Sequence, residues 1–167
     1  MTATGRTDGP QTGWIKGRRH HLPIRVYYED TDAGGIVYHA NYLRFFERAR
    51  GEMLRLVGID HVTAWRDQPA GERMGFAVRR VELEYFRPAI LDDSLDIQSI
   101  VLATAAAYVD VQQAVLRDGV LLARADLRVA LVNDNGRPCR LPPAWRTILK
   151  ALEVPPEDRL FARANTE

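Results

Sequence analysis

The sequence predicts an α+β domain in which an antiparallel sheet of about five strands wraps one long helix. Three observations carry that expectation. One amphipathic stretch of helical period stands early in the chain, four stretches of strand period follow it with tight connections, and a hairpin signal, Asp118-Gly119, joins the last two. Strands grouped after a single helix, rather than alternating with helices, favour an antiparallel sheet.

Each element has its own warrant. Residues 1–21 are rich in Gly, Thr and polar side chains without period and end in the basic cluster KGRRHH, so they are expected to form a disordered arm. Residues 24–29, IRVYYE, stop at the turn-forming run DTDAGG and predict a strand leading into a loop. Beyond that loop Tyr42, Phe46, Ala49, Met53 and Leu56 recur at spacings of three and four, while Arg44, Glu47, Arg48 and Arg55 fall elsewhere on the wheel. This predicts an amphipathic helix over residues 39–57, stopped by Gly58. Gly51 inside it should cost about 1 kcal/mol relative to alanine, which predicts packing against a close neighbour at that turn.

A short helix is expected over residues 60–68, broken by Pro69 and Gly71. Phe76 and Val78 then occupy even positions, whereas Val81, Leu83 and Tyr85 occupy odd ones, so the inward phase of this strand slips near Arg79 and Arg80 as at a bulge. Leu95, Ile97 and Val101 alternate in the next strand, and Val109, Val111 and Val115 in the one after. From Leu121 to Leu131 apolar residues alternate with Arg124, Asp126 and Arg128, the pattern of a strand with one buried and one polar face. Prolines open a last helix over residues 142–153. The expected organisation is an arm, one domain over residues 22–153, and a tail over residues 154–167.

Composition removes several function classes. The chain has 167 residues, 46% hydrophobic and 27% charged, enough for one domain that buries roughly 70% of its unfolded surface. Lys plus Arg number 23 against 22 for Asp plus Glu, a net charge of +1 that creates no field to recruit nucleic acid. Cys139 is the one cysteine, so no intrachain disulfide forms and a reducing cytoplasm fits. No apolar run approaches the ~20 residues that cross a bilayer. The opening residues lack the apolar segment of a secretory signal, and peripheral contact is the most that is expected of a membrane.

The chemistry concentrates in YEDTDAGGIVYHANY, residues 28–42. Glu29, Asp30 and Asp32 precede a Gly-Gly pair, Gly34 and Gly35, where backbone can approach a ligand closely. His39 follows where the helix should begin, and the first amides of a helix lack internal partners and favour an oxyanion. A carboxylate facing free amides suits attack on a polarised carbonyl, with Asp32 as general base or nucleophile. A free aspartate is a weak base at neutral pH, so this reading requires dry walls or a neighbouring carboxylate. A thioester fits such equipment better than an amide, because a thiol with pKa near 8.5 departs with little proton help.

Other readings of the same residues stand beside this one. Asp32 in a Gly-rich turn also suits an Asx-turn, and a histidine at a helix start is often structural. Metal binding by Asp30, Asp32 and His39 lacks a tetrahedral set, so no metal is expected. His20 and His21 lie in the arm, and His61 in the short helix. Cys139 sits in a late loop without a His nearby in sequence, Ser94 and Ser99 lie inside strands, and no G-x-S-x-G occurs.

The runs RVYYEDTDAGGIVYHANYLRFFERARGEMLR, residues 25–55, and FAVRRVELEYFRPAILDDSLDI, residues 76–97, resemble the hotdog-fold acyl-CoA thioesterases of the 4-hydroxybenzoyl-CoA thioesterase family, specifically its Tol-Pal-associated bacterial branch. The resemblance extends over residues 24–141. It implies a hotdog fold, an acyl-CoA substrate, no cofactor, Asp32 as the catalytic aspartate and the backbone amide at His39 as carbonyl polariser. In that branch the His39 side chain is implied as well, and Gly35, Val37, Tyr38 and Asn41 are the substrate-binding expectations. The family usually builds its site at a subunit interface, so a homodimer or homotetramer is expected, with Arg79, Arg80, Arg87 and Arg128 as candidates for coenzyme A phosphates. The resemblance also points to the inner face of a bacterial cytoplasmic membrane. Two alternatives are kept: a hotdog hydratase or dehydratase acting on enoyl or 3-hydroxyacyl thioesters, and a non-catalytic module for acyl carrier protein or envelope lipid machinery.

Overall fold

The computed structural model describes residues 10–160. Nine elements follow one another: β1 (Trp14–Lys16), β2 (Arg19–Arg25), α1 (Asn41–Leu56), α2 (Thr63–Arg66), β3 (Met74–Tyr85), β4 (Ser94–Thr104), β5 (Tyr108–Arg117), β6 (Val120–Asn133) and α3 (Pro143–Ala151). All six strands form one antiparallel sheet in the order β1-β2-β4-β5-β6-β3. α1 lies across β2 and β4, burying Tyr42, Phe45, Phe46, Ala49 and Met53. Its partners include Leu95, Ile97, Leu122 and Ala125 from the sheet. The predicted face of this helix is right except at its end, where Leu56 is exposed and Phe45 is buried instead.

The expected slip of phase in β3 is present as a register shift between Val78 and Arg80. Asp118 and Gly119 join β5 to β6 with positive φ at both positions, 51° and 78°, the backbone of a two-residue hairpin turn. The strand count is six. The first predicted strand is shorter at its end, because Tyr28–Asp30 turn as a single 3-10 helix.

Two expectations at the ends are corrected. Residues 14–21, expected in the disordered arm, are ordered: β1 and β2 form a hairpin, and β2 pairs with β4 from His20↔Ser99 to Arg25↔Ser94. His20 and Leu22 face inward on this strand, so the alternation continues upstream of Ile24 through a histidine that reads as polar. Nor does packing stop at residue 153. Val154 donates its N–H to the Val101 carbonyl at 3.0 Å, and buried Leu160 joins Ile100, Ala114 and Leu116 on the sheet face away from α1. Residues 1–9 and 161–167 lie outside the described residues. No helix among the described residues is long and apolar enough to cross a membrane.

Gly51 departs from expectation in a different way. A Cβ built there would meet only Arg55 Nη1, at 3.8 Å, so no close neighbour packs against that turn.

Candidate active site

The loop between β2 and α1 is a miniature hairpin. Thr31 bridges Val37, Asp32 donates its N–H to the Ile36 carbonyl at 2.9 Å, and Gly35 donates to the Asp32 carbonyl at 3.0 Å. Gly35 has φ of 77°, which this tight turn requires and a residue with a side chain resists. Asp32 therefore sits at the tip of a rigid loop, exposed, with Oδ1 accepting the Gly34 N–H at 2.8 Å. The Asx-turn and the catalytic readings are compatible, since this bond holds one carboxylate oxygen and orients the other.

Asp30, two residues earlier, has the opposite environment. It is 3% exposed and accepts the Tyr27 N–H at 2.8 Å and the Asn41 side-chain amide at 2.6 Å, while its carbonyl accepts the Tyr38 N–H at 2.9 Å. Both ends of the loop are thus tied to one buried carboxylate. Asn41 is itself buried and committed to Asp30, so its side chain positions the loop against the first turn of α1.

The start of α1 is open. Its N-cap, Ala40, offers no side-chain acceptor, and no partner among the described residues takes the amide N–H of His39 or Ala40. Two donors at a helix N-terminus are left for an incoming anion or carbonyl. The His39 ring is exposed and packs edge-on against Tyr38 at 4.5 Å, and its carbonyl accepts the Tyr85 hydroxyl at 2.7 Å. That bond anchors the helix start to the end of β3. Tyr85 packs in turn against Tyr42 at 5.4 Å, and the Tyr42 oxygen accepts the Ala89 N–H at 3.1 Å. Burial pushes the Tyr42 phenol above its ordinary range, opposed by the hydrogen bond from Ala89, so it stays protonated. Val37 is in the core, and its N–H donates to the Ala89 carbonyl at 2.8 Å.

The sequence-predicted residues are therefore brought together on one loop and one helix start, with Asp32, Gly35, Tyr38 and His39 on the surface and Val37 and Asn41 beneath them. Asp30 and Tyr85 are the positioning residues that the sequence reading missed. Among the arginines, Arg79 and Arg80 are exposed beside the β3 bulge and Arg87 lies just beyond the strand. Arg128 is committed elsewhere: it grips Asp110 with two hydrogen bonds of 2.7 and 2.8 Å and lies over the Tyr108 ring.

The other titratable candidates are structural. His20 is fully buried with Nε2 on the Thr12 carbonyl at 2.8 Å, and His21 bonds Asp96 at 2.9 Å. Ser99 accepts the Gln113 amide at 2.8 Å. Burial raises the Cys139 thiol, which disfavours the thiolate. Among the described residues no group of three or more His, Cys, Asp or Glu side chains is gathered as for a metal ion.

A rigid loop carrying an exposed carboxylate beside an uncapped helix, on a sheet of this topology, defines the thioesterase class of the hotdog fold. The sequence model of the thioesterase-like superfamily matches residues 26–157, and the chain belongs to that superfamily. It is similar to an acyl-CoA thioester hydrolase, YbgC, of Escherichia coli O157:H7, with 46% identity over 112 residues, 66% of this chain and 80% of that protein. Similarity to the acyl-CoA thioesterase YbgC of Haemophilus influenzae is 41% over 112 residues, 67% of this chain and 79% of that one. The crystal structure of a probable thioesterase from Bartonella henselae superposes with a TM-score of 0.69 at 38% identity, covering 74% of this chain and 99% of the other.

Proposed function

We infer that the protein is an acyl-CoA thioester hydrolase in which Asp32 activates water or attacks directly and the amide at the start of α1 polarises the thioester carbonyl. One observation carries the assignment of roles: the Asp32 carboxylate is held at the loop tip while the His39 and Ala40 N–H groups stand without acceptors at the adjoining helix start.

The chemistry follows from that layout. A carbonyl oxygen seated on the helix amides gains stabilisation as it becomes an oxyanion, because the donors are already in place and need no reorganisation. Asp32 takes a proton from water as the hydroxyl adds to the carbonyl carbon; the tetrahedral species then collapses, breaks the C–S bond and releases coenzyme A as a thiolate. In the nucleophilic variant the carboxylate oxygen adds first and water opens the resulting anhydride. The proton taken by Asp32 then goes to the thiolate, and the exposed His39 imidazole is the proposed relay for it. No metal or redox step is needed.

Asp32 is open to solvent in one chain, and its work as a base calls for desolvation. The free edge of β3 supplies the means. We propose that two subunits pair β3 to β3 into a continuous sheet, that each covers the other's Asp32 loop, and that such dimers stack further into tetramers. The outward arginines Arg79, Arg80 and Arg87 near that edge are the proposed holders of coenzyme A phosphates. A cytoplasmic location is proposed because the one cysteine of the sequence, Cys139, has no second cysteine with which to form a disulfide within the chain.

Thiol release from acyl-CoA tests the assignment. Asp32→Asn keeps the fold and lowers kcat by about 10²-fold or more, the loss expected for a positioned base or nucleophile. Wild-type turnover in that variant would reduce Asp32 to a turn residue. Conversion of crotonyl-CoA without thiol release would favour a hydratase instead.

A further inference from the structure

The basic run KGRRHH, residues 16–21, has no part in the thioesterase reading above. Residues 10–28 contain no Asp or Glu, although the whole chain carries 22 of them against 23 Lys and Arg. The superfamily match begins at residue 26, so the β1–β2 hairpin stands before the matched span.

The fold turns this run into a fixed surface. Trp14 and Lys16 of β1 lie opposite His21 and Arg19 of β2, which sets these four side chains on one face of the hairpin, and Arg18 stands at its turn. The Trp14 indole is 51% exposed and stacks on the His21 ring at 5.4 Å, and His21 is held in turn by Asp96 at 2.9 Å. Arg18 donates to the Glu153 carbonyl at 2.6 Å, and Arg19 donates to Gln98 Oε1 at 3.3 Å. Both acceptors are neutral, so the bonds hold the guanidinium groups in place without compensating their charge. Among the described residues no carboxylate pairs with Lys16, Arg18 or Arg19. The Glu153 carboxylate is spent on the Thr104 amide at 2.6 Å, and Arg25, at the far end of β2, faces Asp92 at 3.5 Å.

β1 is an edge strand, at the opposite end of the sheet from β3, so this face is free of the edge offered for pairing. A short edge strand bearing a lysine resists the addition of a foreign strand. That accounts for Lys16, but not for a half-exposed indole or for two arginines anchored by neutral acceptors. An acidic protein segment would use the charges and leave the indole idle. A bilayer uses both, because indole settles at the boundary between headgroups and acyl chains while cations meet anionic headgroups.

We propose that this hairpin face docks the protein on an anionic phospholipid surface, with Trp14 entering the interface and Lys16, Arg18 and Arg19 meeting the headgroups. Each such cation raises partition onto the bilayer about fivefold, an effect that salt weakens.

Co-sedimentation of the full chain with vesicles tests this, using phosphatidylcholine alone and phosphatidylcholine with one third phosphatidylglycerol, each at low and high salt. Binding is expected to the mixed vesicles only, and to be lost at high salt. Lys16→Gln combined with Arg18→Gln should weaken it about 25-fold, and Trp14→Ala severalfold. Melting temperature and thiol release from butyryl-CoA, which reads no membrane contact, should stay at wild-type values. If the change at Arg18 loosens the turn, Lys16→Glu alone, at a side chain without a bonded partner among the described residues, should still cost more than fivefold. Absence of wild-type binding at low salt, equal binding to neutral vesicles, or indifference to these substitutions would overturn the proposal and leave the cations as guards of a free edge. Polyglutamate that binds as tightly as the mixed vesicles, with no loss in Trp14→Ala, would overturn it in favour of an acidic protein partner.

Discussion

Burial divides the two aspartates of the DTD run, enclosing one as a strut and leaving the other open at the loop tip. Asp30 satisfies both carboxylate oxygens with the Tyr27 amide and the Asn41 side chain, whereas Asp32 engages only Oδ1, with the Gly34 amide. The sequence reading singled out the window that holds both, because carboxylates beside a Gly-Gly pair are legible. Which one is buried depends on packing by Asn41, eleven residues on, and that is not legible from spacing. His20 shows the same limit. Burial lowers its pKa below the ordinary 6.5, and the neighbouring charge of His21 acts in the same direction; the Thr12 carbonyl, Glu52 and Asp96 pull the other way. Above pH 6.5 the ring is neutral in both folded and unfolded chains, and its contribution to stability is complete. As pH falls below that value the unfolded chain binds a proton that the folded chain refuses, so stability declines until the folded ring itself titrates. Melting temperatures measured from pH 8 to pH 5 should fall below about pH 6.5 in the wild type. In His20→Gln, whose amide reproduces the bond to Thr12, that part of the fall should disappear.

Among the elements, the N-terminal hairpin was the least visible in the sequence and is the most exacting in its backbone. Its cluster KGRRHH reads as a solvated charge run, yet β2 carries its inward phase through His20, Leu22 and Ile24. Two glycines make a matched pair for testing that order. Gly13 has φ of 73° and a Cβ there would lie 1.9 Å from the His21 carbonyl oxygen; Gly17 has φ of 62° and nothing within 4 Å. Gly17→Ala therefore meets only the left-handed penalty of roughly 1–2 kcal/mol. Gly13→Ala adds a clash with paired backbone and should cost more, up to release of the hairpin from β4. Urea midpoints rank the two, and equal losses would mean that residues 10–16 are not docked in solution. Elsewhere the elements were readable because period and turn agreed: α1 by its apolar stripe, the β3 bulge by its change of phase, the β5–β6 hairpin by Asp-Gly. The grip of Arg128 on Asp110 was the harder step. An uninterrupted register from Arg117↔Val120 would set Asp110 opposite Leu127, and only the irregularity between Val115 and Leu116 brings it opposite Arg128.

At the scale of the whole molecule, the sheet order leaves one long strand half unpaired. β3 bonds β6 along one edge only, and Val78, Val81 and Tyr85 are 48%, 40% and 47% exposed. β6, whose alternation is the clearest in the sequence, lies inside the sheet, because alternation reports a buried face and says nothing of a free edge. A twelve-residue edge with apolar side chains invites a second copy, and the bulge between Val78 and Arg80 fixes where the two strands can align. In the proposed dimer each Asp32 loop takes its dry walls from the partner, so activity should follow assembly. In a dilution series followed by sedimentation and by thiol release, specific activity should fall together with the dimer fraction. A monomer of undiminished activity would refute the shared site. Arg80→Pro removes an amide from the strand and stiffens its centre, so it should shift the equilibrium to monomer and lower activity at concentrations where the wild type remains paired. Mixing gives the sharper result: a heterodimer with Asp32→Asn in one subunit and an intact partner should retain about half the wild-type rate, because each pocket uses one carboxylate and borrows only its walls.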